Sequence, residues 1–117
     1  MINDGAPVVV AIADGSLLSE AVIRLLQRES RWVIRVAAAD QAHPGPADAV
    51  VVVTHSTRLP RLPGALVDAS MVVVVPDDDP QWAPLTERPG IAALVSGTDS
   101  PEHLLRTLAR VLAARGV

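Results

Sequence analysis

Five short apolar runs constrain this chain more than any other feature. They are Val8 to Ala13, Trp32 to Ala38, Ala49 to Val53, Met71 to Val75 and Ile91 to Val95, and two of them are almost pure valine. Continuous β-branched runs of this length, without polar alternation, predict strands covered on both faces. Such strands belong to parallel sheets sandwiched between helices. Two of the intervening segments read as amphipathic helices. Leu17, Leu18, Ala21, Val22, Leu25 and Leu26 fall on one face of the first, with Glu20, Arg24 and Arg28 opposite and Ser16 placed to cap it. The last segment opens with Ser100 as cap, Pro101 in the first helical position and Glu102 at the positive helix end. Leu104, Leu105, Leu108, Val111 and Leu112 then form a stripe, and Gly116 suits the stop.

The other connections are broken by proline. Thr57 to Pro63 holds two prolines, which leaves room for only a turn or two of helix over Gly64 to Ala69. Pro76 to Pro84 follows the fourth strand, and any helix there is short and ends before Pro89. His43-Pro44-Gly45-Pro46 reads as a loop. The order β-α-β-(α)-β-(α)-β-(α)-β-α with right-handed crossovers predicts an α/β fold. It is a doubly wound, five-stranded parallel sheet of strand order 2-1-3-4-5.

Composition narrows the function classes. The 117 residues fit one domain, residues 1–117, and half are hydrophobic, enough for a core without staples. The aromatics are Trp32 and Trp82, so valine, leucine, isoleucine and alanine build that core. There is no cysteine, which removes disulfides, thiolate metal sites and thiol catalysis. Ten Arg+Lys against thirteen Asp+Glu give a net charge of −3, so nothing predicts nucleic-acid binding by this domain itself. No apolar run approaches the ~20 residues of a membrane span. Met1-Ile2-Asn3-Asp4-Gly5 does not open like a signal peptide. The expected localisation is cytoplasmic, with no membrane partner.

In open parallel sheets, functional groups gather beyond the carboxyl ends of the strands. Those ends are Ala13-Asp14-Gly15, Val53-Thr54-His55, Val75-Pro76 and Ser96-Gly97-Thr98. Here the sequence acquires a specific likeness. Ile12-Ala13-Asp14-Gly15-Ser16-Leu17-Leu18-Ser19-Glu20-Ala21 resembles the opening of a bacterial response-regulator receiver domain, which has a flavodoxin-like fold. Ala47-Asp48 resembles the Pro-Asp that often precedes the acceptor strand. Gly90 to Leu105 resembles the ending of the receivers attached to LuxR/NarL-type DNA-binding domains.

The resemblance implies where the family's chemistry would sit. The paired acids that hold magnesium fall on Ala13 and Asp14. The phosphoacceptor aspartate falls on Val53, the hydroxyl residue on Val75 and the lysine on Gly97. The aromatic switch falls on Leu94. Only one acid remains of that set. Phosphoryl transfer works through positioning, magnesium and a cation, and magnesium needs several oxygens in near-octahedral array. The degenerate set therefore predicts no phosphorylation, no metal site, no cofactor and no catalysis.

What remains is regulation through a protein partner or self-association. The resemblance points to a homodimer through the first and last helices or the edge of the fifth strand, with any DNA-binding domain outside this chain. An alternative is a small-molecule sensor, with a metabolite in the vacated space above Val53, Val75 and Gly97.

Other motifs read as ordinary surface. Asp14 is expected to favour the start of the first helix through its dipole. Thr54, His55 and Ser56 could form a hydrolytic set with Asp14, but no Gly-x-Ser-x-Gly elbow is present. Asp77-Asp78-Asp79 lacks calcium-loop spacing and reads as a solvated loop. His43, His55 and His103 lack metal-ligand spacing. No Gly-rich phosphate loop occurs. Arg106, Arg110 and Arg115 read as a solvated face or the rim of a protein contact.

Overall fold

The computed structural model describes residues 6–38, 47–55 and 70–116. The elements are β1 (Val8–Ala13), α1 (Leu17–Gln27), β2 (Val33–Ala38), β3 (Ala49–Val53), β4 (Ser70–Val75), a 3-10 helix (Pro80–Glu87), β5 (Ile91–Ser96) and α2 (Pro101–Ala114). All five strands are parallel, in the order β2-β1-β3-β4-β5. The five expected strands and two expected helices are therefore present, and the strand order is the expected one. The loop expected at 43–46 and the helical turn expected at 64–69 lie outside the described residues.

The valine runs are explained by two covered faces. Val9, Val51, Val53, Val72, Val74 and Val95 share one core with Val22 and Leu26 of α1 and Leu104, Leu108 and Leu112 of α2. On the other face Val10, Val50 and Val52 pack with Ile12 and Ala37, while Val73 and Val75 pack against Trp82 and Leu85 of the 3-10 helix. Each fully buried valine contributes roughly 1.5 kcal/mol or more.

The registers are anchored locally. The carboxylate of Asp48 accepts from Val8 N at 2.8 Å, and Asp48 N donates to Val8 O at 2.8 Å. This clamp starts the β1–β3 pairing and gives the residue before β3 a structural role. Between β4 and β5 the pairing steps from Met71↔Ile91 to Val72↔Ala93, an irregularity that gives β5 one extra residue.

Two helix details depart from the sequence reading. Leu17 is 85 % exposed and Ala21 is exposed, so the apolar face of α1 is narrower than its pattern. Ser16 does cap α1, accepting from Ser19 N at 3.1 Å, while Ser19 Oγ donates back to Ser16 O at 2.8 Å. Ser100 occupies the cap position of α2 but its side chain makes no capping bond; His103 N donates instead to Ser100 O at 3.0 Å. Trp32 lies just outside β2, buried, with the Arg31 guanidinium 5.0 Å from its ring centroid.

Candidate functional site

The loops after β1, β3, β4 and β5 bring the expected positions to one rim. Four of those positions, Ala13, Val53, Val75 and Leu94, carry hydrocarbon side chains. Val53 is 3 % exposed and Val75 2 % exposed, and each closes a buried strand. Ala13 is half-buried and carries no functional group. Leu94 packs inward against the cluster of Val73, Val75, Trp82 and Leu85.

Gly97 is held and walled in. Its N–H donates to Val75 O at 2.6 Å. A Cβ added there would stand 3.1 Å from Leu18 Cδ1 and 3.2 Å from Val75 O. The space a side chain would enter is taken by α1 and by the backbone of β4. The chain contains no lysine, so none could reach the rim from elsewhere.

Asp14 is engaged rather than available. Its Oδ1 accepts from Ser16 N at 2.9 Å, and its Oδ2 lies 2.7 Å from His55 Nδ1. Partial burial raises its carboxyl pKa, but hydrogen bonds from Ser16 and the contact with His55 outweigh that, so it is lowered to about 2. Beside the dipole role expected at α1, Asp14 makes two specific contacts: a loop cap ahead of the helix and a bridge from the loop after β1 to the loop after β3. The sequence reading missed this bridge, because 41 residues separate its partners. It does bring two members of the weighed hydrolytic set together. Thr54, the third, is buried, with its N–H bonded to Val74 O at 3.0 Å, and Ser56 lies outside the described residues.

The acidic run after β4 is a set of loop fasteners. Asp77 Oδ1 accepts from Asp79 N at 3.0 Å and from the Trp82 indole Nε1 at 2.8 Å, and these bonds, the indole first, hold its carboxyl below the ordinary value. Asp79 Oδ1 accepts from Gln81 N at 3.0 Å, capping the 3-10 helix. Thr98 Oγ1 donates to Asp78 Oδ2 at 3.3 Å, tying the β4 loop to the β5 loop. His103 Nε2 lies 3.8 Å from Asp99 Oδ2.

The divalent ion implied by the resemblance does not fit these residues. A hard cation needs several free oxygens. Asp14 is the sole carboxylate at the implied position, already bonded twice, and Ala13 and Val53 supply nothing. Among the described residues no three His, Cys, Asp or Glu side chains are grouped to hold a metal.

Two hollows open near the rim. One of about 140 Å³ lies between α1 and α2, lined by Leu18, Val22, Val74, Val95, Gly97 and Leu104 among others. The other, about 340 Å³, holds Val75, Leu94, Trp82 and the Asp77–Asp79 loop. Gly97 lines the first hollow and Val75 the second, and Ser96 and Asp99 line both.

No family model matches this sequence, and no curated protein matches it. Solved structures do. A LuxR-family DNA-binding response regulator from Staphylococcus aureus superposes with a TM-score of 0.68 at 15% identity, covering 91% of this chain and 98% of that one. The fold is that of response-regulator receiver domains. The signal receiver domain of the response regulator NarL from Mycobacterium tuberculosis gives 0.69 at 14% identity over 92% of this chain and 96% of its own. The receiver fold also extends to the pilus assembly protein CpaE from Caulobacter crescentus, with a TM-score of 0.63 at 17% identity over 91% and 93% of the two chains. Identities this low carry the fold and leave function to the site.

Proposed function

We propose that this chain is a phosphorylation-independent signal-receiver domain of a LuxR/NarL-type transcriptional regulator, acting in the cytoplasm through protein contact and without catalysis. On this reading residues 1–117 form one regulatory domain, and the DNA-binding part lies outside it. The observation that carries the reading is the closed rim. The implied acceptor position is a buried valine, and the implied lysine position is a glycine with Leu18 and Val75 O against it. The remaining acid is bonded to Ser16 and His55. The likeness to LuxR-type and NarL receivers supports the choice of regulator class. The test is intact-mass measurement after incubation with magnesium and acetyl phosphate. No phosphoryl adduct is expected. One hydroxylamine-sensitive adduct would overturn the reading.

A second reading, small-molecule sensing, is favoured by the hollow of about 140 Å³ beside Gly97. That is close to the ~150 Å³ cavity size that accepts benzene. Its floor is apolar, with Ser96, Asp99 and Ser100 at its lip. A ligand of this class raises the melting temperature in proportion to its occupancy. A flat thermal-shift screen of small aromatic and heteroaromatic compounds would remove this reading.

A further inference from the structure

The hollow of about 140 Å³ draws its walls from four elements: α1 gives Leu18 and Val22, β4 gives Val74, β5 gives Val95 and α2 gives Leu104. Val22, Val74, Val95 and Leu104 are buried hydrocarbon. A cavity of this lining and size accepts a single ring or a short branched chain. Ala21 lines it from the exposed side of α1 and Gly97 adds no side chain, so the mouth stays open. Leu18, whose δ-carbons stand against Gly97, is also part of the wall, so an occupant touches the side chain that closes the rim.

The mouth has charge of one sign. Among the described residues, Asp99 is the one charged side chain that lines this hollow. Its Oδ2 accepts from Ser96 N at 3.1 Å and lies 3.8 Å from His103 Nε2. Its Oδ1 takes no hydrogen bond from a described residue, and the side chain is 39 % exposed. Ser100, also at the mouth, makes no side-chain capping bond. No arginine lines the hollow and the chain has no lysine. α2 begins here, and its dipole contributes about half a positive charge. Against that stand the full negative charges of Asp99 and of Glu102 in the first turn, while Pro101 removes one N–H from the helix end. The balance at the mouth is negative.

We propose that this hollow binds a small amine, an ammonium group carried on a single ring or a short branched hydrocarbon. The proposal deepens the small-molecule reading of the same hollow and rests on it. The hydrocarbon body lies against Val22, Val74, Val95 and Leu104. The ammonium stays at the mouth, where it donates to Asp99 Oδ1 and Ser100 Oγ. A charge-assisted bond of this kind is stronger than a neutral one, and partial exposure reduces the gain. An uncharged ligand with the same body gains the apolar wall alone. A carboxylate on that body meets Asp99 with like charge and finds no cation lining the hollow. The wall therefore sets the size of the ligand, and Asp99 sets its charge.

The test is a chemical-shift titration of the ¹⁵N-labelled chain at neutral pH with three probes that share one ring: benzylamine, benzyl alcohol and benzoate. Benzylamine should bind about fivefold more tightly than benzyl alcohol, and benzoate more weakly than either, with the largest shifts at Leu18, Val95 and Gly97. Two variants, each checked by a melting curve, separate wall from mouth. Asp99→Asn keeps an oxygen for Ser96 N but removes the charge, and should bring benzylamine and benzyl alcohol to equal affinity. Ala21→Leu, at an exposed helix position, fills the mouth and should remove binding of both. If the three probes bind the wild type equally, the amine proposal is overturned while the small-molecule reading stands. If none binds, both fall. Benzylamine binding that survives Ala21→Leu, or a preference for it that survives Asp99→Asn, would also overturn the proposal, because the ammonium would then sit elsewhere.

Discussion

Gly97→Ala tests whether the implied lysine position is physically closed. The added methyl would lie 3.1 and 3.3 Å from the two δ-carbons of Leu18 and 3.2 Å from Val75 O. Leu18 can turn a little, since it is only partly buried. Val75 O cannot, because it is backbone at the end of β4 and holds Gly97 N at 2.6 Å. Overpacking of this kind costs roughly 1–3 kcal/mol. Replacing glycine stabilises by about 0.4–1 kcal/mol through the unfolded chain. The net expectation is a loss of about 1 kcal/mol, or a melting temperature lower by about 4 °C for a domain of this size. Urea and thermal melts of the two proteins measure it. Leu18→Ala/Gly97→Ala supplies the control, because removing the Leu18 methyls should make Gly97→Ala less costly by about 0.5 kcal/mol or more in a double-mutant cycle. If Gly97→Ala is as stable as the wild type and the cycle shows no coupling, Leu18 does not fill the position. The rim would then be open to a side chain, and the physical case for lost phosphoryl chemistry at β5 would fail.

The other expectations concern single fastenings. The Asp14 carboxyl is held at about 2 against an ordinary 3.8. Its contribution to stability is therefore complete above about pH 4 and is lost as the pH falls through about 2. Urea midpoints of wild type and Asp14→Asn should differ at pH 7 and converge toward pH 2; a constant gap would contradict the His55 and Ser16 contacts as its source. Trp82→Phe keeps the ring in the core but removes the indole bond to Asp77, and should cost about 0.5–1.5 kcal/mol in a denaturant titration. Ser16→Ala removes the α1 cap and should cost about 1 kcal/mol, whereas Leu17→Gln, at an 85 % exposed site, should stay within about 0.5 kcal/mol of wild type in the same titration.

Much of the frame was legible because burial on both faces leaves a direct trace in sequence. Val50 to Val53 can be a run of valines only where neither side meets water, and β3 is buried along its whole length. The helix signals were weaker guides. Leu17 continues the apolar stripe of α1 by spacing, yet it sits in the first helical position, before the helix has turned onto the sheet, and points to solvent. The proline-rich stretch after β4 was readable as short helix, and it forms a 3-10 segment around Pro84, which has no N–H to donate. For the site, the resemblance offered an expectation of missing groups at Val53, Val75 and Gly97. What occupies the rim instead was not. The Asp14–His55 bridge and the Trp82–Asp77 bond come from chain positions brought together by strand pairing and loop geometry, which no local periodicity encodes.

The form of the rim also limits how the proposed regulator can be driven. A covalent phosphoryl group shifts a two-state domain by placing new charge where one state accommodates it better. Here the corresponding space holds two valines, a glycine packed under Leu18 and an acid already satisfied by His55. No residue at those positions offers an attachment point for that charge. On the proposed reading an input acts through binding, and by as much as it prefers one state over the other. Moving such a domain from 1:99 to 99:1 takes roughly 5.5 kcal/mol of differential affinity. On the proposed reading, the regulator's output should remain unchanged by loss of any phosphodonor.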